Sequence, residues 1–177
     1  MEQCAVCQDV PSYALQTARG DFDGALTTIL LKNPLPGVTG HLCTHLCETR
    51  CTRANYDESV GIRDIKRFVA ARGKAKFTKG AAANRKVAVM GAGPSGLAAA
   101  ARLALCGGEV DVFEARDRAG GILAIAPTFR LPREVVDGDI DRIRALGVNF
   151  HLNSKITEAP EAFLEKGYDS VDVACGF

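Results

Sequence analysis

The chain carries no excess of charge of either sign. Its 177 residues hold 22 Lys and Arg against 21 Asp and Glu, a net charge of +1. That balance leaves no electrostatic footprint for nucleic acid or for an anionic membrane surface. No apolar run approaches the ~20 residues that a membrane-spanning helix needs. The opening residues, from Met1 to Asp9, lack a basic then apolar signal segment. A cytoplasmic protein with neither nucleic acid nor membrane as partner is the expectation. There is no internal repeat and no low-complexity segment. No nucleophile with a base is visible, and no paired-carboxylate site; Asp137, Asp139 and Asp141 read as the solvated face of a helix. The remaining composition, 47% apolar and 24% charged, suits a globular chain of one or two domains.

What is present is concentrated in residues 86–121. Val87 to Met90 is a short apolar run with the composition of a buried parallel strand. It leads into Gly91-Ala92-Gly93-Pro94-Ser95-Gly96, then into an Ala- and Leu-rich helix pattern from about Leu97 to Leu105. A second strand-like run, Val110 to Phe113, ends in Glu114. Strand, glycine turn, helix, strand and acid in this order form the dinucleotide-binding fingerprint. Gly91 permits the turn off the strand, Gly93 lets backbone approach a pyrophosphate, and Gly96 lets the helix pack closely. The helix N-terminus offers N–H groups to phosphate, and Glu114 can accept the ribose hydroxyls.

The seven cysteines are an odd count without a secretion signal, which argues against disulfides. Cys106 and Cys175 fall in Rossmann segments and read as small buried apolar residues. The other five, Cys4, Cys7, Cys43, Cys47 and Cys51, lie in the first 51 residues. Cys4 and Cys7 can converge across a tight turn. The spacing of four between Cys43, Cys47 and Cys51 predicts one helical face. Such thiolates suit a [4Fe–4S] cluster or zinc, and free thiols are a third reading. Zinc would favour two tight pairs, and only Cys4–Cys7 is one. His41 and His45 flank Cys43 and read as structural or solvent-facing; His151 reads as a surface residue.

Helices are predicted over Ser12 to Arg19, Phe22 to Leu31 and Gly61 to Ala71, with Asp21 or Asp23 capping the second. The run 33–37, Asn-Pro-Leu-Pro-Gly, must end that helix. Ile62, Ile65, Phe68 and Val69 form one apolar stripe. Beyond the basic, aperiodic run 72–86, a helix over Pro132 to Leu146 turns Val135, Ile140, Ile143 and Leu146 inward, with Gly147 as its C-cap. Val148 to Leu152 and Tyr168 to Ala174 read as strands, and Glu158 to Glu165 as a short helix.

These motifs resemble a narrow family of flavoproteins. Gly120 and Gly121 directly after the ribose acid are similar to the second glycine pair of FAD-binding disulfide reductases. The run from Ile125 through Pro127, Phe129, Arg130 and Leu131 to Arg133 resembles the glutamate synthase small-subunit type, whose module also begins dihydropyrimidine dehydrogenase and selenate reductase-type subunits. The cysteine-bearing stretch 33–53 and Cys4 to Pro11 look like the iron–sulfur domain that precedes FAD in that family. The resemblance covers roughly residues 3–177. It implies FAD in the Rossmann unit, held by Gly91, Ala92, Gly93, Pro94, Ser95, Gly96, Glu114, Gly120, Gly121, Ile122 and Arg130, with Arg130 reaching the flavin region. It tips the metal to [4Fe–4S], with Cys4, Cys7 and Cys51 the best-placed ligands and Cys43 or Cys47 the fourth. Ser12 and Gln16 stand where two more cysteines are expected, and a glutamine ligand of some members falls near Lys66 and Arg67. One cluster is therefore expected rather than two.

The expected fold is α+β: an all-helical iron–sulfur domain over 1–75, a linker over 76–85, and an incomplete α/β Rossmann-like FAD domain over 86–177. No second GxGxxG is present, so NAD(P)H would have to be held by another chain or by a missing C-terminal part. The expected function is an electron-transfer module of a larger NAD(P)H-dependent oxidoreductase. The alternative is a truncated, non-catalytic remnant or an assembly protein that binds a partner.

Overall fold

A computed structural model describes residues 4–176. The chain divides into two compact units, residues 1–76 and 77–177.

The first unit is built from four helices. Helix α1, Val10–Ala18, starts where Asp9 accepts the backbone N–H of Ser12 at 3.2 Å, satisfying a donor the helix leaves open. Helix α2, Phe22–Leu30, is capped in the same way by Asp21, which accepts from the Gly24 N–H at 2.9 Å. Helix α3, Pro36–Leu42, is absent from the sequence reading, which took residues 33–37 only as a break. Pro36 is the first helical residue, where its missing N–H costs nothing, so the run read only as a break also begins the next helix. Helix α4, Ile62–Arg72, crosses α3 closely: a Cβ on Gly40 would lie 2.8 Å from the Arg67 Cα. Tyr13, Leu26, Ile29 and Val69 fill the core, each at most 1% exposed.

The inward stripe of α4 is not the apolar one expected. Ile62, Val69 and Ala70 are buried, but Lys66 completes the row at 7% exposed, while Phe68 turns out to 41%. Phe68 instead meets Phe22 edge-on and carries the Arg72 guanidinium on its ring.

The second unit holds a four-stranded parallel sheet in the order β3-β2-β1-β4, made of β1 Lys86–Met90, β2 Glu109–Phe113, β3 Asn149–His151 and β4 Ser170–Val173. Helix α5, Pro94–Leu105, connects β1 to β2, and α6, Arg133–Arg144, precedes β3. The short α7, Glu161–Glu165, seats Phe163 on Ala88 and Met90. Gly147 has φ +86°, as a C-cap requires. Two sequence expectations fail here. Asp139 is fully buried rather than solvated, and its carboxylate takes the Arg142 guanidinium at 2.6 Å. Cys106 and Cys175 are exposed, because Cys106 caps the end of α5 and Cys175 follows the last strand.

Asp111 anchors one face of the sheet. Its carboxylate accepts hydrogen bonds from Asn149 Nδ2 at 2.9 Å and Tyr168 Oη at 2.8 Å, lies 3.2 Å from His151 Nε2, and has Lys86 Nζ at 3.6 Å. Burial alone would raise its pKa; the donors and Lys86 outweigh that and hold it below the ordinary value. Burial first, and then the same bond, push the Tyr168 phenol up to about 12. A carboxyl lowered by folding stabilises the native state above its unfolded pKa of about 3.9 and loses that contribution as pH falls through the folded value. Asp111→Ala should therefore cost about 3 kcal/mol at neutral pH, as expected when one partner of a buried polar network is removed. Urea melts at pH 7 and pH 3 check this, the difference between wild type and variant shrinking at the lower pH.

Residues 73–85 form neither helix nor strand. Gly80 N–H donates to Leu105 O at 3.0 Å and Ala83 N–H to Gly107 O at 3.0 Å, while Arg85 O accepts from Glu109 N–H at 2.8 Å. The stretch 72–79 has fewer such ties and exposes Arg72, Lys74, Lys76 and Lys79. Limited trypsin digestion should cut within 72–79 first. A first cut inside 86–177, read by mass spectrometry, would contradict this.

Candidate functional site

The second unit gathers its glycines at the ends of β1 and β2. Gly91 leaves β1 with φ +104°, and its N–H donates to Phe113 O at 2.8 Å. Gly96, in the first turn of α5, presses on that turn: a Cβ there would lie 1.9 Å from Gly91 O. At Gly93 a Cβ would meet nothing within 4 Å, so its backbone faces open space. Gly93 is also the N-cap of α5 and has no side-chain capping bond. The helix N-terminus thus presents uncapped N–H groups and the positive end of its dipole.

Glu114 closes the arrangement. It is 8% exposed, and its two carboxylate oxygens accept from Ala92 N–H at 2.9 Å and Arg116 N–H at 3.0 Å. The acid therefore ties the end of β2 to the glycine turn. The second glycine pair folds back on the first turn: Gly120 N–H donates to Ala92 O at 2.8 Å, and a Cβ on Gly121 would lie 2.8 Å from Gly93 Cα. Both glycines have positive φ, +120° and +53°. The structure brings residues 91–96, 114, 120 and 121 together. It does not bring Arg130 to them by a contact: Arg130 is exposed, and its guanidinium has no partner among the described residues. Ile122, 68% exposed, and Phe129, 91% exposed, stand out from the same segment.

The cysteines of the first unit are not on one helical face. Cys43 ends α3 in extended conformation, His45 has φ +46°, and Cys47 and Cys51 bracket a 3-10 turn, Glu48–Arg50. A left-handed residue at 45 stops the helix that a spacing of four suggested. Among the described residues no three His, Cys, Asp or Glu side chains converge at metal-ligand distance. The thiols nevertheless share surroundings. Burial raises the Cys47 thiol, and the neighbouring Cys4 and Cys43 thiols and Glu48 raise it further. Buried Tyr13 sits among the same groups, its phenol raised first by burial and then by Cys47, Cys4, Cys43 and Glu48. Cys51 is lowered instead, by backbone N–H groups of Val60, Arg53 and Ala54 and by the Arg53 charge. Cys7 N–H bonds Cys4 O at 2.9 Å, making the expected turn.

Ser12 and Gln16 do not stand as vacant ligands. Ser12 Oγ donates to Asp9 at 2.7 Å, and Gln16 Oε1 accepts from Thr28 Oγ1 at 2.9 Å. Both line an open cavity of about 640 Å³ with Cys7. His41 Nδ1 bonds Gly37 O at 2.9 Å, a structural role. His45 Nδ1 lies 3.1 Å from a Glu48 oxygen without hydrogen-bond alignment. Tyr13 was missed as a neighbour of the thiols; an isolated tyrosine in a helical pattern carries no signal of it. No helix among the described residues is long and apolar enough to cross a membrane.

Comparison with known proteins gives a consistent picture. Residues 1–77 match the dihydropyrimidine dehydrogenase domain II, 4Fe-4S cluster family, and residues 89–147 match the NAD(P)-binding Rossmann-like domain. The chain is 36% identical to the NADP(+)-dependent formate dehydrogenase subunit beta of Moorella thermoacetica over 99% of its own length and 29% of that protein. It is 36% identical to the NADPH-Fe(3+) oxidoreductase subunit beta of Geobacter sulfurreducens, over 99% of this chain and 28% of the relative. It is 32% identical to the glutamate synthase [NADPH] small chain of Bacillus subtilis, over 98% and 36%. The chain thus spans 28% to 36% of the length of these three relatives. Its residues 1–77 belong to the dihydropyrimidine dehydrogenase domain II, 4Fe-4S cluster family, joined to a Rossmann-like dinucleotide-binding domain of the kind found in these NAD(P)H-dependent oxidoreductase subunits.

Proposed function

We propose that this chain is an electron-carrying module that binds FAD in the Rossmann unit and one [4Fe–4S] cluster in the helical unit. The observation that carries the FAD assignment is the second glycine pair, Gly120–Gly121, folded onto the first glycine turn. That contact holds a second length of backbone against the phosphate turn. Glu114 is the acid for the adenine ribose, the turn at Gly93 and the N-terminus of α5 face the pyrophosphate, and Ile122 and Arg130 extend toward the flavin. Isothermal titration should show tight FAD binding and weak NADP+ binding; the reverse order overturns the assignment.

Cys4, Cys7, Cys47 and Cys51 are the proposed cluster ligands. The donor chemistry fits: Cys51 is held toward thiolate by N–H groups, and the crowding that opposes ionisation of Cys47 is relieved by a cation. Cys43 is proposed as the spare thiol of the five; its sulfur accepts the His45 N–H at 3.4 Å. The hydrogen bonds that occupy Ser12 and Gln16 support one cluster rather than two. The cofactors supply one- and two-electron redox chemistry, and the protein supplies position and potential. The nicotinamide and the final acceptor are held by another chain or by a C-terminal part beyond these residues, this chain spanning 29% and 28% of two relatives whose names carry NADP(H). The setting is a larger cytoplasmic oxidoreductase, and the domain limits are those expected from the sequence, 1–75 and 86–177 around a connector.

A further inference from the structure

We propose that a lysine-lined cavity on one face of the sheet, beside α7, binds a phosphate group, free or carried on a small molecule. None of its lining residues is assigned above to FAD or to a cluster.

Alternation along β1 puts Lys86, Ala88 and Met90 on this face, and the strand register sets Asp111 beside Ala88 and Phe113 beside Met90. A parallel sheet is ordinarily covered on both faces. The cover here is the five-residue α7, whose Phe163 packs on Ala88 and Met90, together with Ile156 and Tyr168. Beside this short cover lies a cavity of about 400 Å³, within the range of small-ligand sites.

Its wall is aromatic and its charge is positive. The Phe163 ring centroid lies 5.2 Å from that of Phe113 and 5.7 Å from that of Tyr168. Two ammonium groups stand over these rings: Lys166 Nζ is 4.8 Å from the Phe163 centroid and Lys86 Nζ is 4.6 Å from the Tyr168 centroid. Each has one carboxylate beside it. Lys86 Nζ faces Asp111 at 3.6 Å, and Lys166 donates to Glu158. Both are therefore held in place before any ligand arrives, which lowers the entropy lost on binding. Lys155 lines the same cavity, is exposed, and makes no hydrogen bond or ion pair among the described residues. Three lysines against one lining carboxylate, Glu158, concentrate positive charge in a chain whose net charge is +1. The chemistry of the donors selects the anion. An ammonium is a point charge with rotatable donors and suits a tetrahedral oxyanion, whereas a flat carboxylate is matched by the guanidinium fork. No arginine lines this cavity, and Thr157 adds a hydroxyl.

The test titrates the nitrogen-15-labelled full chain with inorganic phosphate and with pyrophosphate, and amide shifts locate binding residue by residue. The amides of residues 154–158 and 166–168 should shift and saturate. Lys155→Met and Lys166→Met should each weaken this response by about fivefold, and the double variant by about twentyfold, the scale of charge-assisted hydrogen bonds at an exposed site. Lys155→Arg, which keeps the charge, should stay within about twofold of wild type. Both lysines are exposed, so the variants should keep the amide spectrum of the remaining chain. Any response of residues 91–96 to the same anions should be equal in wild type and double variant. Shifts confined to residues 91–96, or equal affinity of wild type and double variant, would overturn the site. Citrate binding as tightly as pyrophosphate would overturn the choice of phosphate.

Discussion

Gly96→Ala is expected to unfold the Rossmann unit, whereas Gly93→Ala is expected to fold normally and lose the dinucleotide. The two glycines lie three residues apart in one motif, and the structure gives them different burdens. The new methyl at 96 would sit 1.9 Å from Gly91 O and 3.1 Å from its carbon. Those atoms are backbone, fixed by the bond from Gly91 N–H to Phe113 O, so no side chain can rotate away. A cost of about 3 kcal/mol or more follows for such overpacking against backbone. At 93 the methyl would meet no protein atom within 4 Å. It would occupy the space assigned to the pyrophosphate, and a loss of about a hundredfold in FAD affinity, ~2.8 kcal/mol, is expected. Thermal melts and calorimetric titrations separate the cases. A Gly93→Ala chain that binds FAD like wild type would remove the phosphate site from this turn.

Cysteine replacement should be nearly as severe for the helical unit. Cys4→Ser, Cys7→Ser, Cys47→Ser and Cys51→Ser are each expected to lower reconstituted iron to a small fraction of wild type. A cubane needs one ligand per iron, and a serine hydroxyl is a harder and poorer ligand than thiolate. Cys43→Ser should retain most of the iron, because five thiols stand where a cubane needs four and Cys43 is proposed as the spare. Iron analysis of the five variants checks the assignment; a Cys43→Ser protein that loses iron while Cys47→Ser keeps it would exchange their roles.

The legibility of this chain differs between its halves. The turn from β1 into α5 was readable because its signals are local: glycines at fixed offsets, an apolar run before them and an acid after the next strand. The strand order was not read there, because local patterns mark strands and crossovers but not which strands lie side by side. In the helical unit the deciding contacts are tertiary. A spacing of four suggested a helix through Cys43, Cys47 and Cys51, but most residues between Thr44 and Glu58 are exposed and have no apolar stripe to bury. Without that burial the segment follows short turns. Pro36 was read as an ending because its role as a first helical residue depends on what α3 packs against. Lys66 and Asp139 lie on buried faces that sequence periodicity assigns to apolar residues or to solvent, and only the packed helices reveal them. Cys106 and Cys175 show the converse: residue type suggested burial, and their place at the ends of α5 and β4 exposes them.

The most direct measurement of the central claim is the cofactor content of anaerobically reconstituted wild-type chain. After addition of FAD and removal of unbound flavin, the protein should hold about one flavin, four irons and four acid-labile sulfides, with flavin absorption near ~450 nm over a broad cluster shoulder near ~400 nm. Stoichiometric zinc without iron, or a chain that retains neither flavin nor iron, would contradict an electron-carrying module.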